Sequence, residues 1–270
     1  MSQPVRAVER ALNILLCFDH TETALSLTQI SERVGIHKST VHRLLASLES
    51  KHFVYRANST GLYHLGFRFI EMASLVLQDV DIQHWAQPYL QRLCAECGET
   101  VDLAILDDAH VIYLEVVESS QRIKLAATVG QRLPAFCTAS GKAILAYLPA
   151  DKVTRIFGEG MTRYTENTVV SPADLYEDLR VTRERGFAIS EQEYEKDIQA
   201  VAAPILDASG CPMAAIAIAG PSFRLSHERL LTLGQSIRAT ANAMAQDMGI
   251  IALSMLIAKT TTLGIAEQTQ

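Results

Sequence analysis

The sequence predicts an α+β chain: an N-terminal winged helix-turn-helix joined by a linker helix to an antiparallel-sheet domain with helices on its faces. Three observations carry this expectation. Residues 26–48 hold two short amphipathic helical patterns separated by a glycine, and residues 53–65 read as strand, turn and strand. From residue 101 onward, apolar alternation at period two interleaves with helical stretches, the mark of a sheet covered by helices.

Residues 5–18 read as an amphipathic helix through Val8, Leu12, Leu15 and Leu16. Ser26 with Gln29 three positions on makes a capping box, Ile30 and Val34 give the helix an apolar face, and Gly35 supplies the left-handed turn that ends it. A second helix begins near Lys38. Its apolar residues Val41, Leu44, Leu45 and Leu48 fall at i, i+3, i+4 and i+7, which turns Ser39, Arg43 and Ala46 outward. A row of small and cationic residues on a docked helix suits the major groove. Lys38, Ser39, Thr40, His42 and Arg43 are therefore the candidate DNA contacts, with Arg43 foremost; the alternative for each is a solvated helix face. Phe53–Tyr55 and Leu62–Leu65, joined by Asn58-Ser-Thr-Gly61, read as wing strands. Arg56 near the tip is placed to reach a phosphate or the minor groove, or to remain a solvated hairpin charge.

Residues 67–78 contain neither proline nor glycine and read as a semi-rigid helical connector. This divides the chain into a winged helix-turn-helix (1–66), a linker helix (67–80), a sheet domain (81–250) and a tail (251–270) expected to be partly disordered. Within the sheet domain a helix ends at Gly98, and a hairpin pairs Val101–Leu106 with Val111–Val117 around Asp107-Asp108. Further helices are expected at about 140–148, 173–185 and 225–248. Strands are expected at about 123–128, 187–190, 199–206 and 212–219.

At 270 residues, with 49 % apolar and 20 % charged residues, the composition is that of a globular protein able to bury a core. The net charge of −6 conceals an asymmetry: residues 1–60 carry +2 and the remainder −8, so only the first part is suited to nucleic acid. No apolar run approaches the roughly 18 residues of a membrane span, and the N-terminus lacks the apolar core of a signal peptide, so a cytoplasmic location without membrane contact is expected. Five cysteines are too few and too irregular for a disulfide framework. Cys94 and Cys97 have metal spacing but no second pair, so a structural role is expected and no metal or cofactor. Gly141-Lys142 lacks the rest of a phosphate loop, since Phe136 stands five positions before Gly141 and Ala143 follows the lysine. Neither G-x-S-x-G nor H-E-x-x-H occurs, and no catalytic residue is nominated.

Several spaced motifs together resemble the IclR family of bacterial transcriptional regulators. They include Glu9-Arg-Ala-Leu12, Lys38-Ser-Thr-Val-His-Arg-Leu-Leu45, Tyr63-x-Leu65-Gly66, Glu99-Thr-Val101, Gly130 with Pro134, Gly141-Lys-Ala-x-Leu-Ala146, Ala202-Ala-Pro204 and Ala219-Gly-Pro221. The resemblance spans residues 5–249. It implies operator binding as a dimer, and a GAF-like C-terminal domain that binds a small effector and associates further, often to a tetramer. No catalytic turnover is implied.

A helix starting near Ser140 would leave the amides of Ala139, Ser140 and Gly141 free to hold a carboxylate; a plain capped helix start is the alternative. The resemblance places this segment in the effector pocket, together with Leu125, Leu133 and Ile198. It also puts Ser190 where the family often has an aspartate, and Ala200, Ala217 and Ala219 where a cysteine and two hydroxyl residues would be. Three alanines would widen and dry the cavity, disfavouring a small keto acid such as glyoxylate or pyruvate and favouring a larger acid with an apolar or aromatic body. The sequence thus points to a DNA-binding regulator, repressor rather than activator, responsive to an organic acid and working as a homodimer or homotetramer on double-stranded operator DNA. The competing class is an enzyme-like small-molecule domain with an appended DNA module.

Overall fold

The first helix of the computed structural model, which describes residues 5–19, 22–72, 82–157 and 160–266, is α1 (Arg6–Leu15). It is shorter than its apolar periodicity suggests, and it turns a different edge inward. Ile14 is fully buried, whereas Val8, Leu12 and Leu16 stand 57, 54 and 78 % exposed. The face read as core-facing is open because α1 packs through Ile14 and Leu15 alone on the small core of this unit.

The next elements form as their residues dictate. Ser26 Oγ accepts from the Gln29 amide and Gln29 Oε1 accepts from the Ser26 amide, so both halves of the capping box close at the start of α2 (Leu27–Val34). Gly35, at φ 64° and ψ 31°, makes the left-handed turn, a conformation costly for a residue with a Cβ. α3 (Lys38–Ser50) is capped by the His37 ring, whose Nδ1 accepts from the Ser39 amide. Val41 and Leu45 are buried, and Leu44 and Leu48 pack beside them. A two-residue strand, β1 (Ala24–Leu25), too short to show in the pattern, pairs with β3 (Tyr63–Leu65), which pairs in turn with β2 (Val54–Arg56); all pairs are antiparallel. Ile14, Ile30, Val41, Leu45, Val54 and Tyr63 make one core. A helical turn follows at 68–72. The rest of the expected 67–80 linker helix lies outside the described residues.

The chain divides into two compact units, Met1–Asp81 and Ile82–Gln270. The second opens with α4 (Ile82–Cys97) and the expected hairpin, β4 (Thr100–Asp107) and β5 (His110–Val117). No strand forms at 123–128. Tyr113 of β5 bonds instead to Gly130 and Gln131, and the edge strand is β6 (Arg132–Pro134). After a single 3-10 turn come α5 (Ala139–Leu145), α6 (Ala150–Phe157), which was not expected, and α7 (Pro172–Arg185). β7 (Ala188–Glu191), β8 (Ile198–Leu206) and β9 (Pro212–Pro221) complete a six-stranded antiparallel sheet in the order β6-β5-β4-β9-β8-β7. The last helix, α8, runs His227–Ala266, into the span 251–270 where a partly disordered tail is expected; residues 251–258 contain neither proline nor glycine to stop it.

Both sheet faces are covered. On one, α4 and α8 pack through Leu90 and Ile237 against Leu103, Ile205 and Ile216. On the other, α5 and α7 approach a wall of alanines, Ala104, Ala188, Ala202, Ala215 and Ala217. Truncating Leu45, fully buried between α3 and the rest of its core, is expected to cost about 2 to 5 kcal/mol of stability in the first unit. Urea denaturation of Leu45→Ala followed by a probe in that unit would show it, and an unchanged midpoint would refute the packing described.

Candidate functional site

Strand register builds a cavity on the alanine face. Ser190 of β7 lies opposite Ala200 of β8, Ala200 opposite Ala219 of β9, and Ala219 opposite Thr100 of β4. The next row runs Ala202, Ala217, Asp102 and Val116. Side chains at these positions point to the same side of the sheet. The start of α5 lies over them: Ser140 Oγ donates to Asp102 Oδ1 at 3.3 Å, and Ser190 Oγ donates to the Cys137 carbonyl at 3.1 Å.

The cavity they enclose is lined by nine of the ten residues nominated from sequence: Leu125, Leu133, Ala139, Ser140, Ser190, Ile198, Ala200, Ala217 and Ala219. Gly141 is the exception. A Cβ there would stand 2.1 Å from the Ala135 carbonyl oxygen, so this glycine serves close helix packing and faces no ligand. Its amide is not free either, since Thr138 Oγ1 accepts it at 3.3 Å. The helix starts at Ala139, one residue earlier than expected, and a seven-residue helix with its third amide already capped offers less to a carboxylate than three open amides would.

Nor is the cavity as dry or as wide as three alanines suggest. It measures about 70 Å3, more than the roughly 30 Å3 that one water occupies in the liquid. Asp102, Tyr113, Gln131, Tyr194, Glu195 and Gln199 add polar groups to its wall. Sequence reading missed them because it weighed only four positions of a family pattern. The signal for Asp102 was present: a lone carboxylate inside the apolar run Val101–Leu106 of a strand buried on both faces.

Asp102 is 1 % exposed. Burial pushes its carboxyl up to about 7, against a smaller downward pull from the Ser140 hydroxyl. Lys142, also 1 % exposed, does not compensate it. Its Nζ lies 2.5 Å from Asp178 and 2.6 Å from Glu193. Burial works against that ammonium, but Glu193 and Asp178 outweigh it and hold the lysine charged. Among the described residues no lysine or arginine lines the cavity.

The other nominated surface is on α3. Lys38, Ser39, His42 and Arg43 are exposed and Thr40 is half-buried. Ser39 Oγ is 2.8 Å from His37 Nδ1, so its hydroxyl also serves the helix cap. Arg56 is held back against the wing: its Nε donates to the Gly61 carbonyl at 2.9 Å, and its guanidinium sits 5.7 Å from the Tyr63 ring centre. Cys94 and Cys97 are buried thiols on α4, and burial pushes Cys97 up to about 11, away from the thiolate that metal ligation needs. Among the described residues no helix is long and apolar enough to cross a membrane.

Because the folded-state pKa of Asp102 lies above its ordinary 3.8, the fold holds this proton more tightly than the unfolded chain does. The resulting stability is complete below that ordinary value and is lost as pH rises through about 7. At about 1.4 kcal/mol per pH unit the loss amounts to at most about 4 kcal/mol. Asp102→Asn should therefore gain in melting temperature over the wild type as pH is raised from about 5 to about 8. A difference independent of pH would contradict the buried, unneutralised carboxyl.

Comparison with known proteins places both units in one family. Residues 7–57 match the IclR helix-turn-helix domain, and residues 74–246 match the bacterial transcriptional regulator IclR C-terminal domain. The transcriptional repressor IclR of Escherichia coli K12 is 32 % identical over 248 residues, covering 91 % of this chain and 90 % of the relative. A crystal structure of an IclR-type regulator from Silicibacter superposes with a TM-score of 0.78 at 27 % identity, over 90 % of this chain and 96 % of that one. An IclR homologue from Microbacterium hydrocarbonoxydans, crystallised with 4-hydroxybenzoate, shares the fold at 22 % identity and a TM-score of 0.78, over 89 % of this chain and 99 % of that one. These matches span nearly the whole chain, and the relatives are DNA-binding regulators rather than enzymes. The chain belongs to the IclR family of bacterial transcriptional regulators.

Proposed function

We propose that this protein is a cytoplasmic repressor whose hold on operator DNA is controlled by a small organic acid bound in the cavity between the alanine face of the sheet and α5. The single observation carrying this reading is the cross-strand register that brings Ser190, Ala200 and Ala219 abreast beneath α5. A relative's crystallisation with 4-hydroxybenzoate supports an aromatic or similarly compact acid. In this reading residues 1–66 read DNA, residues 67–80 connect, and residues 81–250 bind effector and assemble. Lys38, Ser39, Thr40, His42 and Arg43 meet phosphates and base edges, and Arg56 reaches the backbone only after leaving Gly61 and Tyr63 of the wing. Assembly as a homodimer or homotetramer gives a use to the open face of α1, where Val8, Leu12 and Leu16 are too exposed for a helix left in water. Effector binding acts by population shift, favouring the arrangement of the dimer that binds it more tightly.

Two variants test this division of labour. Arg43 is exposed and outside the core of its unit, so Arg43→Ala should weaken binding to DNA from upstream of the protein's own gene by about 1 to 3 kcal/mol with an unchanged melting curve. Unaltered affinity in a gel-shift titration would remove Arg43 from the interface. Ala217 sits in the cavity floor beside Asp102. Ala217→Leu should leave DNA binding intact and abolish the response to an inducing acid, because the added bulk fills the cavity at an overpacking cost of about 1 to 3 kcal/mol. A variant that still responds would move the effector elsewhere.

A further inference from the structure

Asp102 stands in this cavity without a charge partner. It is buried in the row with Ala202, Ala217 and Val116. Its Oδ1 accepts from Ser140 Oγ, and its Oδ2 has no partner among the described residues. The titratable groups that line the cavity from the neighbouring elements are Tyr113 on β5, Cys137 in the turn before α5, and Tyr194 and Glu195 after β7. None is a cation. Burial pushes the phenol of Tyr113 well up and the thiol of Cys137 up to about 12, so both stay neutral, and Glu195 is exposed to water. The nearby cation on α5, Lys142, is committed to Asp178 and Glu193.

A carboxylate entering such a space meets two obstacles. Its charge is repelled by an ionised Asp102, and its oxygens need hydrogen-bond donors once water is gone. The side chains of Ala200, Ala217 and Ala219 offer none, and the Gly141 amide is already taken by Thr138. One proton removes both obstacles, because a neutral Asp102 carries no charge and gains an O–H. Ser140 occupies Oδ1, which leaves Oδ2 to carry that proton.

We propose that Asp102 enters the effector complex as a neutral carboxylic acid whose Oδ2–H donates to the effector's carboxylate, so that the cavity takes up the acid together with one proton. This inference rests on the reading of the cavity as the effector site. Burial already pushes Asp102 up to about 7 in the free protein, and a bound anion beside it raises it further. At acidic pH the free protein holds the proton and binding requires no uptake. As pH rises through about 7, the free protein loses the proton while the complex keeps it, so affinity for the acid falls by up to about tenfold per pH unit. The response to effector is thereby strongest on the acid side of neutrality.

The test uses the full chain with benzoate, 4-hydroxybenzoate, propionate and pyruvate, whose carboxyls stay ionised throughout the range. The tightest binder at about pH 6, found by thermal shift, is titrated calorimetrically at about pH 6 and about pH 8, in two buffers of different ionisation enthalpy at each. Wild type should bind about tenfold more weakly at the higher pH, and should take up close to one proton per acid there and almost none at the lower. Asp102→Asn keeps a donor and cannot ionise: it should lose the pH dependence and bind at the higher pH as tightly as wild type does at the lower. Asp102→Ala should also be independent of pH but bind more weakly than Asp102→Asn, since the donor is gone. Far-UV circular dichroism checks that both variants fold, and the proton count on wild type decides the matter without them. Wild-type affinity independent of pH, an uptake near zero at the higher pH, a pH dependence that survives Asp102→Asn, or equal binding by Asp102→Asn and Asp102→Ala would each overturn the proposal. Ala217→Leu separates the two levels. Binding without proton uptake that Ala217→Leu abolishes keeps the cavity as the effector site and removes the role of Asp102, whereas binding that survives Ala217→Leu, or no binding by any of the four acids, removes the reading of the cavity and the proposal with it.

Discussion

The second unit depends on where Lys142 puts its charge. This side chain is 1 % exposed, and its ammonium is held by Asp178 of α7 and by Glu193 in the segment after β7. Removing one partner of such a buried set strands a charge and costs about 3 to 5 kcal/mol, so the three elements are bound to a common position. α5 is thereby fixed over the alanine face, and the cavity beneath its first turn acquires a defined roof. The same arrangement takes the cation out of the cavity, leaving Asp102 inside without one. One ion cluster therefore determines both the shape of the site and the sign of its interior.

Close approach of α5 requires small residues on both sides of the contact. Ala202, Ala215 and Ala217 keep the sheet surface low, and Gly141 lets the helix backbone come against Ala135, where any Cβ would collide. Gly141 thus lets the start of α5 fold back against the 3-10 turn that precedes it. The opposite face uses branched and aromatic side chains such as Ile205, Ile216 and Phe187 and is a conventional core. The division between a tightly packed face and a face with room for a ligand follows from side-chain size, strand by strand.

Much of this was legible in the sequence. Ser26, Gln29 and Gly35 specify α2 through local hydrogen bonding and backbone conformation, and both appear as read. The spacing of Val41, Leu44, Leu45 and Leu48 set the outward row of α3 correctly, because a packed helix has one period. The face of α1 was misjudged for the opposite reason: Val8, Leu12 and Leu16 form an apolar stripe, but periodicity cannot say whether a stripe meets its own core or another surface. β1 and β6 were missed because strands of two or three residues carry no alternation. Asp102 stands out as a lone carboxylate in an apolar strand, but the neighbours that surround it are set by pairing between distant strands, which leaves no local signal.

The cavity beneath α5 contains a buried carboxyl that no cation among the described residues neutralises. Carbon-13 NMR titration of the aspartate carboxyls, with Asp102 assigned by its loss in Asp102→Asn, measures this directly. The structure predicts a carboxyl that titrates near 7, far above the ordinary 3.8. A midpoint for Asp102 in the ordinary aspartate range would mean that water or a cation reaches it, and would contradict the cavity as described.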